Sequence, residues 1–326
     1  MNNYISNQTQ VGSFTTGSEM PIDTIILKFH IDPSSRFFEN WLQKPVVRKN
    51  VVLWDEYFEN YYSENGTRIA VKYCPFDRYS SDTDLLFIQL SIPNLLYGCN
   101  HKMIDDRDVA IDKLQIEIDN IPELPHLDIR SGILYRLDIC INLQVGENAK
   151  DYIQALFNAH FRRRKTMPYP REGVMFKTEK SGIALIFYIK FSECHHKDAK
   201  GILRVELSLR KKARIKDKLG KKSMTLNDID KDDLYRAIYS EMKTLGLDKA
   251  IVCDRFEAEN RLSEIYSPRQ VRSLLGFLVE LQTKTHIQIR EGGTSRETIC
   301  RYNKLLRGAG ISNVSFDGKK SLPPLI

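Results

Sequence analysis

Three segments in the middle of the chain place an apolar side chain at every second position, and this pattern predicts β-strands. They are GILYRLDICINL (132–143), IALIFYIKF (183–191) and GILRVELSLR (201–210). Successive side chains of a strand point to opposite faces of a sheet, so each segment has one apolar face and one mixed face. We therefore expect three strands that bury one face in a core and carry chemically active groups on the other.

The order of the predicted elements indicates an α+β fold of two tandem antiparallel-sheet units backed by helices. Residues 21–130 and residues 131–222 each run through a strand, a helix and further strands, which suggests two copies of one unit. Residues 223–326 then follow helical patterns, and residues 211–222 are interpreted as a basic linker or an exposed helix end. The polar residues 1–20 are expected to form a flexible N-terminal tail.

Two helices near the C-terminus carry start signals and have a short connection between them. Ser267 with Gln270, and Thr294 with Glu297, have the spacing of a capping box, in which each side chain reaches the backbone of the other residue. Such a pair is compatible with a helix-turn-helix, and also with a plain packing unit. If the pair binds DNA, its second helix would present three side chains outward: Arg296, Arg301 and Asn303.

Positive charge is concentrated in one part of the chain. Lys and Arg number 49 against 42 Asp and Glu, a formal net charge of +7. Residues 160–222 alone hold nineteen basic and six acidic residues, so the rest of the chain is net negative. A local basic block suits a polyanion such as nucleic acid, although a solvated lysine-rich surface has the same composition. The side chains of this block that we predict to contact DNA phosphates are Arg162, Arg163, Arg164, Lys211 and Lys212.

The sequence lacks the patterns that are typical of several other classes of protein. No run of about 18 apolar residues marks a membrane span. The six cysteines stand singly, without the spacing of a zinc site or a disulfide scaffold. The Walker A, G-x-S-x-G and H-E-x-x-H patterns are missing from the sequence. We therefore expect a soluble cytosolic protein with reduced thiols and no membrane partner.

The mixed faces of the three central strands carry groups that fit a single chemical reaction. They hold three pairs of residues two positions apart: Arg136 with Asp138, Tyr188 with Lys190, and Arg204 with Glu206. Asp138 and Glu206 are predicted to bind Mg²⁺ or Mn²⁺, since two carboxylates and a substrate phosphate are a usual ligand set for these ions. The basic side chains would compensate phosphate charge, and Tyr188 would attack the phosphorus once a metal or an ammonium group lowers its pKa.

Each of these groups also has a simpler interpretation. An Arg and an Asp on a strand usually form a surface ion pair, and a Tyr usually packs over a Lys stem, so the alternative function is a non-catalytic DNA-binding regulator.

The first half is basic at the corresponding positions but lacks paired acids and a Tyr-x-Lys, and we expect it to grip DNA or to support the sheet. His195 and His196 are adjacent, so on a strand they would point to opposite faces. We expect them in a loop, and not as a metal-binding pair.

These segments resemble the phage and plasmid initiators of rolling-circle replication, typified by the filamentous-phage gene II protein. The resemblance runs from about Ile22 to Lys211 and rests on the order and spacing of short motifs. In chain order the motifs are IDTIILKF, FIQLSIPNLLYGCNH, LYRLDICINL, LIFYIKF and ILRVELSLR. The chain departs from the family pattern at Cys99, which stands inside the turn formed by Gly98 and Asn100.

The resemblance implies a chemistry and a set of partners. Tyr188 would be the nicking nucleophile, Asp138 and Glu206 the metal ligands, and Lys190 with the arginines the phosphate support. The enzyme would nick supercoiled double-strand origin DNA, keep the 5′ phosphate as a phosphotyrosine, leave a 3′ hydroxyl to prime synthesis, and later rejoin the displaced single strand. Expected partners are a host helicase, a DNA polymerase and a second copy of the chain, in the cytoplasm of a bacterial host. The same chemistry would also serve a nickase that starts conjugative transfer.

Overall fold

The computed structural model describes most of the chain. The described residues are 19–32, 46–48, 51–53, 57–74, 84–157, 159, 161, 164–178, 182–221, 223–251, 254–314 and 320–326. Residues 1–18 of the expected tail, together with Arg162, Arg163 and Lys222, lie outside them. Within the described part, every helix is too short or too polar to cross a membrane.

The strands form one antiparallel sheet and a small separate hairpin. In chain order they are β1 (Ile22–Ile31), β2 (Val46–Arg48), β3 (Val51–Leu53), β4 (Tyr57–Tyr62), β5 (Arg68–Cys74), β6 (Asp84–Ser91), β7 (Ile133–Gln144), β8 (Lys165–Tyr169), β9 (Gly173–Lys177), β10 (Ile183–Ile189) and β11 (Ile202–Leu209). Among the described residues, nine strands form the sheet in the order β4-β5-β6-β1-β7-β11-β10-β9-β8, with antiparallel neighbours throughout. β2 pairs with β3. The sheet thus runs through both halves of the chain, which meet where β1 pairs with β7.

Helices cover the sheet and make up the C-terminal part of the chain, which confirms the predicted α+β class. In chain order they are α1 (Ile92–Tyr97), α2 (Arg107–Asp119), α3 (Ala149–Phe157), α4 (Lys190–Cys194), α5 (Lys212–Leu219), α6 (Lys231–Thr244), α7 (Arg255–Ser263), α8 (Pro268–Thr283), α9 (His286–Glu291) and α10 (Arg296–Gly308). Most of the predicted basic linker is helix α5, whose Ile215 and Leu219 are buried in the core.

The three central strands predicted from alternation are neighbours in the sheet. β11 lies between β7 and β10, with Arg204 opposite Asn142 on one side and Tyr188 on the other. All three apolar faces point into the same core. The mixed faces therefore lie side by side, as the sequence predicts.

Among the described residues there are two large hydrophobic cores and a small cluster of Ala184, Ile186 and Tyr188. The larger one lies between the sheet and its helices and includes Leu137 of β7 and Ile238 of α6. The smaller one gathers side chains of α7 to α10 around Leu274. Full burial of each such side chain stabilises the fold by about 1.5–3 kcal/mol. α6 packs on the sheet, whereas the smaller core includes Ala250 and side chains of α7 to α10.

The two predicted helix starts have different outcomes. Ser267 and Gln270 form the expected capping box at the start of α8. The cap of α10 lies one residue later than predicted, because Ser295, and not Thr294, accepts the N–H of Thr298 at 3.2 Å. Both helices therefore begin with a satisfied backbone donor.

Candidate functional site

The mixed face of the central strands is buried. Asp138, Tyr188 and Arg204 are each at most 1 % exposed, and Glu206 is 7 % exposed. We call these four residues the buried charged face. Contacts over this face come from the segment 98–103 after α1 and from the β8–β9 hairpin. Charges on the face therefore act on one another through an interior in which electrostatic forces are weakly screened.

Asp138 is fully engaged by its neighbours. Arg136 donates from Nε to Oδ1 at 3.1 Å and from Nη2 to Oδ2 at 2.5 Å, and Ser208 donates from Oγ to Oδ1 at 2.6 Å. Burial raises the pKa of Asp138, and the Arg136 guanidinium opposes that rise. With both oxygens occupied by charge-assisted or short hydrogen bonds, Asp138 serves mainly to hold Arg136.

Glu206 lies on the same face and has no direct partner. Within the described residues, no hydrogen bond or ion pair reaches its carboxyl group. Burial first, and then the charges of Asp138 and Asp23, raise the pKa of Glu206 to about 8. A nearly buried carboxyl with a strongly raised pKa is typical of a functional site.

Arg204 has no exposed surface and ties two further polar residues to the face. Its Nε donates to Oδ1 of Asn142 at 2.8 Å, and its Nη1 lies 3.6 Å from Oδ2 of Asp23 on β1. Asp23 also accepts a hydrogen bond from Ser91 Oγ at 2.8 Å. The three-strand pattern does not single out Asp23, although an aspartate in the apolar strand IDTIILKFHI is a signal for it. Arg204, predicted to contact phosphate, is not accessible to DNA in this structure.

Tyr188 and Lys190 are neighbours, but the strand that carries them ends earlier than predicted. β10 stops at Ile189, and Lys190 is the first residue of the short helix α4. Its Nζ is buried, pairs with the carboxylate of Glu193, and lies 5.5 Å from the centre of the Tyr188 ring. Glu193 is a further charged residue of the site that the strand pattern misses. The lysine thus reaches the tyrosine from a helix end, and not from the next position on the same strand face.

Tyr188 is held as a buried phenol. Its ring packs against Tyr169 of β8, with 5.5 Å between the ring centres. Gly173 of β9 lies directly opposite, and a Cβ there would stand only 2.7 Å from the Cβ of Tyr188, so glycine is what allows this close approach. Burial raises the pKa of Tyr188 well above its usual value. The hydroxyl is therefore protonated, and it is shielded from solvent in this structure.

A group of residues able to hold a metal ion lies beside this face. His101, His196 and Asp198, here called the metal group, each offer one ligand atom, and these atoms lie within 4.8 Å of one another. The two imidazole rings are stacked, with 4.4 Å between their centres. His101 belongs to the segment after α1, whereas His196 and Asp198 belong to the connection between α4 and β11. Among the described residues, the predicted pair Asp138 and Glu206 belongs to no such group.

His101 is well suited to bind a metal. It is buried, and its Nδ1 has no hydrogen-bond partner in the part of the chain that the structure describes. Burial first, and then the neighbouring His196, lower the pKa of His101, so its imidazole is neutral near pH 7. Neutral imidazole is the form that ligates metals. Cys99, the departure from the family turn, lies at the edge of this group, with Sγ 4.0 Å from Nε2 of His101.

Hydrogen bonds connect the metal group to the buried charged face. Asn142 donates from Nδ2 to the carbonyl oxygen of His101 at 2.8 Å, and its Oδ1 accepts the hydrogen bond from Arg204. Asn100 donates from Nδ2 to Oε1 of Glu193 at 3.4 Å. The segment that supplies His101 is thus fixed to both β7 and α4, and the two sets of residues form one continuous polar site.

The two adjacent histidines have different surroundings, as expected for residues outside a strand. His195 ends α4 with a φ of 53°, and its ring lies against that of Phe191. His196 faces His101. The sequence gives no sign that one member of the pair, His196, meets a distant histidine.

The other predicted phosphate contacts lie on different elements. Arg164 is nearly buried, pairs with Glu241 of α6 at 2.5 Å, and lies 4.0 Å from the centre of the Phe161 ring. It therefore holds α6 in place and does not face solvent. The remaining four are on helices: Lys211 and Lys212 at the start of α5, and Arg296 and Arg301, both exposed, on α10.

Comparison with known proteins adds no family assignment. No protein-family model matches the chain, and no curated protein matches it significantly. The function therefore has to be argued from the site itself.

Proposed function

We propose that the protein is a metal-dependent DNA nickase that initiates rolling-circle replication of a phage or plasmid. The observation that carries the proposal is the metal group, linked by Asn142 to a buried face that holds a tyrosine, carboxyl groups and basic side chains. Metal ligands, a nucleophile and compensating cations are the components that phosphodiester transfer requires. The replication role rests on the resemblance of the strand motifs.

The ion would be held by His101, His196 and Asp198, and not by the sequence-predicted pair Asp138 and Glu206. Two imidazoles and one carboxylate suit Mn²⁺ better than Mg²⁺, which prefers a shell of oxygen ligands. When bound, the ion supplies a Lewis acid that polarises the scissile phosphodiester. This arrangement leaves the carboxyl group of Glu206 available for proton transfer.

Tyr188 is the proposed nucleophile. Its phenol oxygen forms a bond to phosphorus, the bond from phosphorus to the 3′ oxygen breaks, and the leaving 3′ oxygen takes up a proton. Because the raised pKa keeps Tyr188 protonated, attack needs a base. Glu206, with a pKa of about 8, would accept the proton in its ionised form, which becomes populated as the pH approaches 8. Lys190 would stabilise the phenolate. Because Tyr188 is buried and its ring packs against Tyr169, DNA must displace part of these surroundings to reach the hydroxyl.

The first half of the chain is proposed to be a non-catalytic copy that grips DNA. Counted outward from the centre of the sheet, one half reads β1-β6-β5-β4 and the other β7-β11-β10-β9-β8. In both halves the first strand lies at the centre, the last strand lies next to it, and the preceding strands follow outward in reverse chain order; β8 gives the second half one strand more. This order supports two tandem units. His30 and Arg68 are exposed, and Lys28 and Lys72 are half-buried, whereas the matching face of the second half is buried.

The C-terminal helices are proposed to recognise the base sequence of the DNA. The predicted pair, α8 and α10, is not joined by a simple turn, because the short helix α9 lies between them. The pair that remains compatible with a helix-turn-helix is α9 and α10, with Arg296 and Arg301 exposed on α10 as the helix that would enter the major groove. The proposed partners are supercoiled origin DNA, the displaced single strand, a host helicase, a DNA polymerase and a second copy of the chain.

A non-catalytic, sequence-specific DNA-binding regulator is the second candidate. It is favoured by the burial of Tyr188 and by the exposure of Arg296 and Arg301. A nickase for conjugative transfer would share the proposed chemistry and differ in the DNA that it cuts.

The protein is expected to convert supercoiled DNA that carries the origin of its own replicon into the nicked form when Mn²⁺ is present. EDTA is expected to stop the reaction, because the metal is needed to polarise the phosphodiester. Gel electrophoresis measures the nicked fraction, and a plasmid without the origin is the control. Specific binding to the origin with no nick in Mn²⁺ or Mg²⁺ would favour the regulator.

A further inference from the structure

A basic pocket lies in the helical C-terminal part of the chain and shares no residue with the buried charged face or the metal group. It is formed by α9 and α10 together with Thr244 at the end of α6 and Asn313, and its volume is about 600 Å³. Small-molecule sites typically have volumes of roughly 300–1,000 Å³. The pocket is thus large enough for an organic ligand and larger than a single phosphate requires.

The lining of this pocket is strongly positive. Four of its residues are basic, Arg290, Arg296, Lys304 and Arg307, and no Asp or Glu lines it. Within the described chain, none of the four forms an ion pair with a carboxylate. Positive side chains that line a cleft of low dielectric constant concentrate anions there. The planar guanidinium groups match the geometry of phosphate oxygens.

Three buried polar atoms that belong to residues lining the pocket lack hydrogen-bond partners among the described residues. Nε of Arg307, Oδ1 of Asn303 and Oδ1 of Asn313 are buried and have no hydrogen-bond partner among the described residues. Native proteins rarely leave such atoms unpaired without a reason, and a ligand is one such reason. The pocket also has an apolar side, formed by Ile287 and Ile299. A ligand that fits must therefore offer negative charge, hydrogen-bond donors and an apolar surface.

We infer that this pocket binds a nucleotide. Its phosphates lie against the four basic side chains, its base lies against Ile287 and Ile299, and its amino or hydroxyl groups donate to the side-chain oxygens of Asn303 and Asn313. Inorganic phosphate would use only the cations and would leave the apolar side empty. The inference does not depend on the nickase proposal, because it uses neither the metal group nor the buried charged face.

Isothermal titration calorimetry of the full chain with ADP tests this inference. The wild type is expected to bind ADP, and Arg290→Gln and Lys304→Gln are each expected to weaken binding by about tenfold, since each removes a hydrogen bond to a charged group. Both side chains are exposed, so neither change disturbs the core. Arg272→Gln is the control: Arg272 is exposed on α8 and does not line the pocket, and this variant is expected to bind ADP like the wild type.

Pyrophosphate and a short single-stranded oligonucleotide complete the experiment. Pyrophosphate is expected to bind more weakly than ADP, because it lacks the nucleoside, and equal affinity would contradict the nucleotide assignment. Absence of ADP binding, or ADP binding that neither pocket variant changes, would overturn the inference. An oligonucleotide that binds through Arg290 and Lys304 when ADP does not would assign the pocket to DNA and overturn it as well. None of these results bears on nicking, which is measured separately.

Discussion

Replacing His196 with alanine is expected to weaken Mn²⁺ binding by about a hundredfold or more and to abolish nicking. The change removes one of the three ligand atoms of the metal group. Substitutions outside a metal's ligand shell already cost roughly ten- to a hundredfold in affinity, so loss of a ligand should cost at least as much. His196 is exposed, so the fold should tolerate the change. The electron paramagnetic resonance signal of free Mn²⁺, followed during a titration, measures the affinity.

The adjacent His195 provides a matched control. It is also exposed, but its ring lies against Phe191 and outside the metal group. Because its φ of 53° is a left-handed conformation that asparagine tolerates better than alanine, His195→Asn is the suitable substitution. This variant is expected to bind Mn²⁺ as the wild type does. Undiminished binding by His196→Ala, or an equal loss in both variants, would show that the metal group does not hold the ion.

Replacing Glu206 with glutamine is expected to change how the stability of the metal-free protein depends on pH. The unfolded chain releases the proton of this carboxyl near pH ~4.3, whereas the folded chain holds it up to about pH 8. Between these values the native state binds the extra proton, so the free energy of unfolding of the wild type falls as pH rises. Glutamine stays neutral, so we expect the stability advantage of Glu206→Gln over the wild type to grow by several kcal/mol between about pH 5 and about pH 8.5.

Urea unfolding at these two pH values, with EDTA present, measures the effect. Glu259→Gln on α7 is the control, because that side chain is exposed and its change should leave the pH dependence of the wild type intact. The same Glu206→Gln protein should lack nicking activity, since glutamine cannot accept the proton of Tyr188. A stability difference that is equal at both pH values would show that Glu206 is ionised in the fold and lacks the raised pKa on which its proposed role rests.

The strand pattern predicts the central sheet well because side-chain alternation is a local property. β7, β11 and β10 lie side by side, and their apolar faces share one core. The prediction is wrong at Lys190, where the chain leaves the strand. Lys190 and Glu193 form an ion pair three residues apart, a spacing that brings side chains together on a helix and not on a strand.

The burial of the mixed face depends on parts of the chain that the strand pattern does not include. Its cover is supplied by the segment 98–103 and by the β8–β9 hairpin, which reach it through tertiary contacts. An Arg-x-Asp pair has the same sequence pattern on an exposed strand and on a covered one. Alternation therefore predicts which residues share the face, but not that Tyr188 and Arg204 are hidden there.

The strand pattern also fails to predict the metal group, because its residues come from distant parts of the chain. His101 follows α1 in the first half of the chain, and His196 follows α4 in the second half. The two histidines meet because β1 and β7 join the halves into one sheet and because Asn142 fixes the segment that carries His101. Neither histidine stands in a ligand motif, so spacing alone offers no signal for the pair.

Mapping the covalent DNA adduct tests the central claim most directly. The protein is incubated with Mn²⁺ and origin DNA, digested with nuclease and trypsin, and examined by mass spectrometry for a phosphonucleotide on tyrosine. We predict the modification on the peptide that contains Tyr188, its absence in EDTA and in Tyr188→Phe, and its presence in Tyr302→Phe, which changes a tyrosine of the helical core. An adduct on another tyrosine such as Tyr97 or Tyr169, or no adduct on origin DNA that the protein binds, would contradict the account.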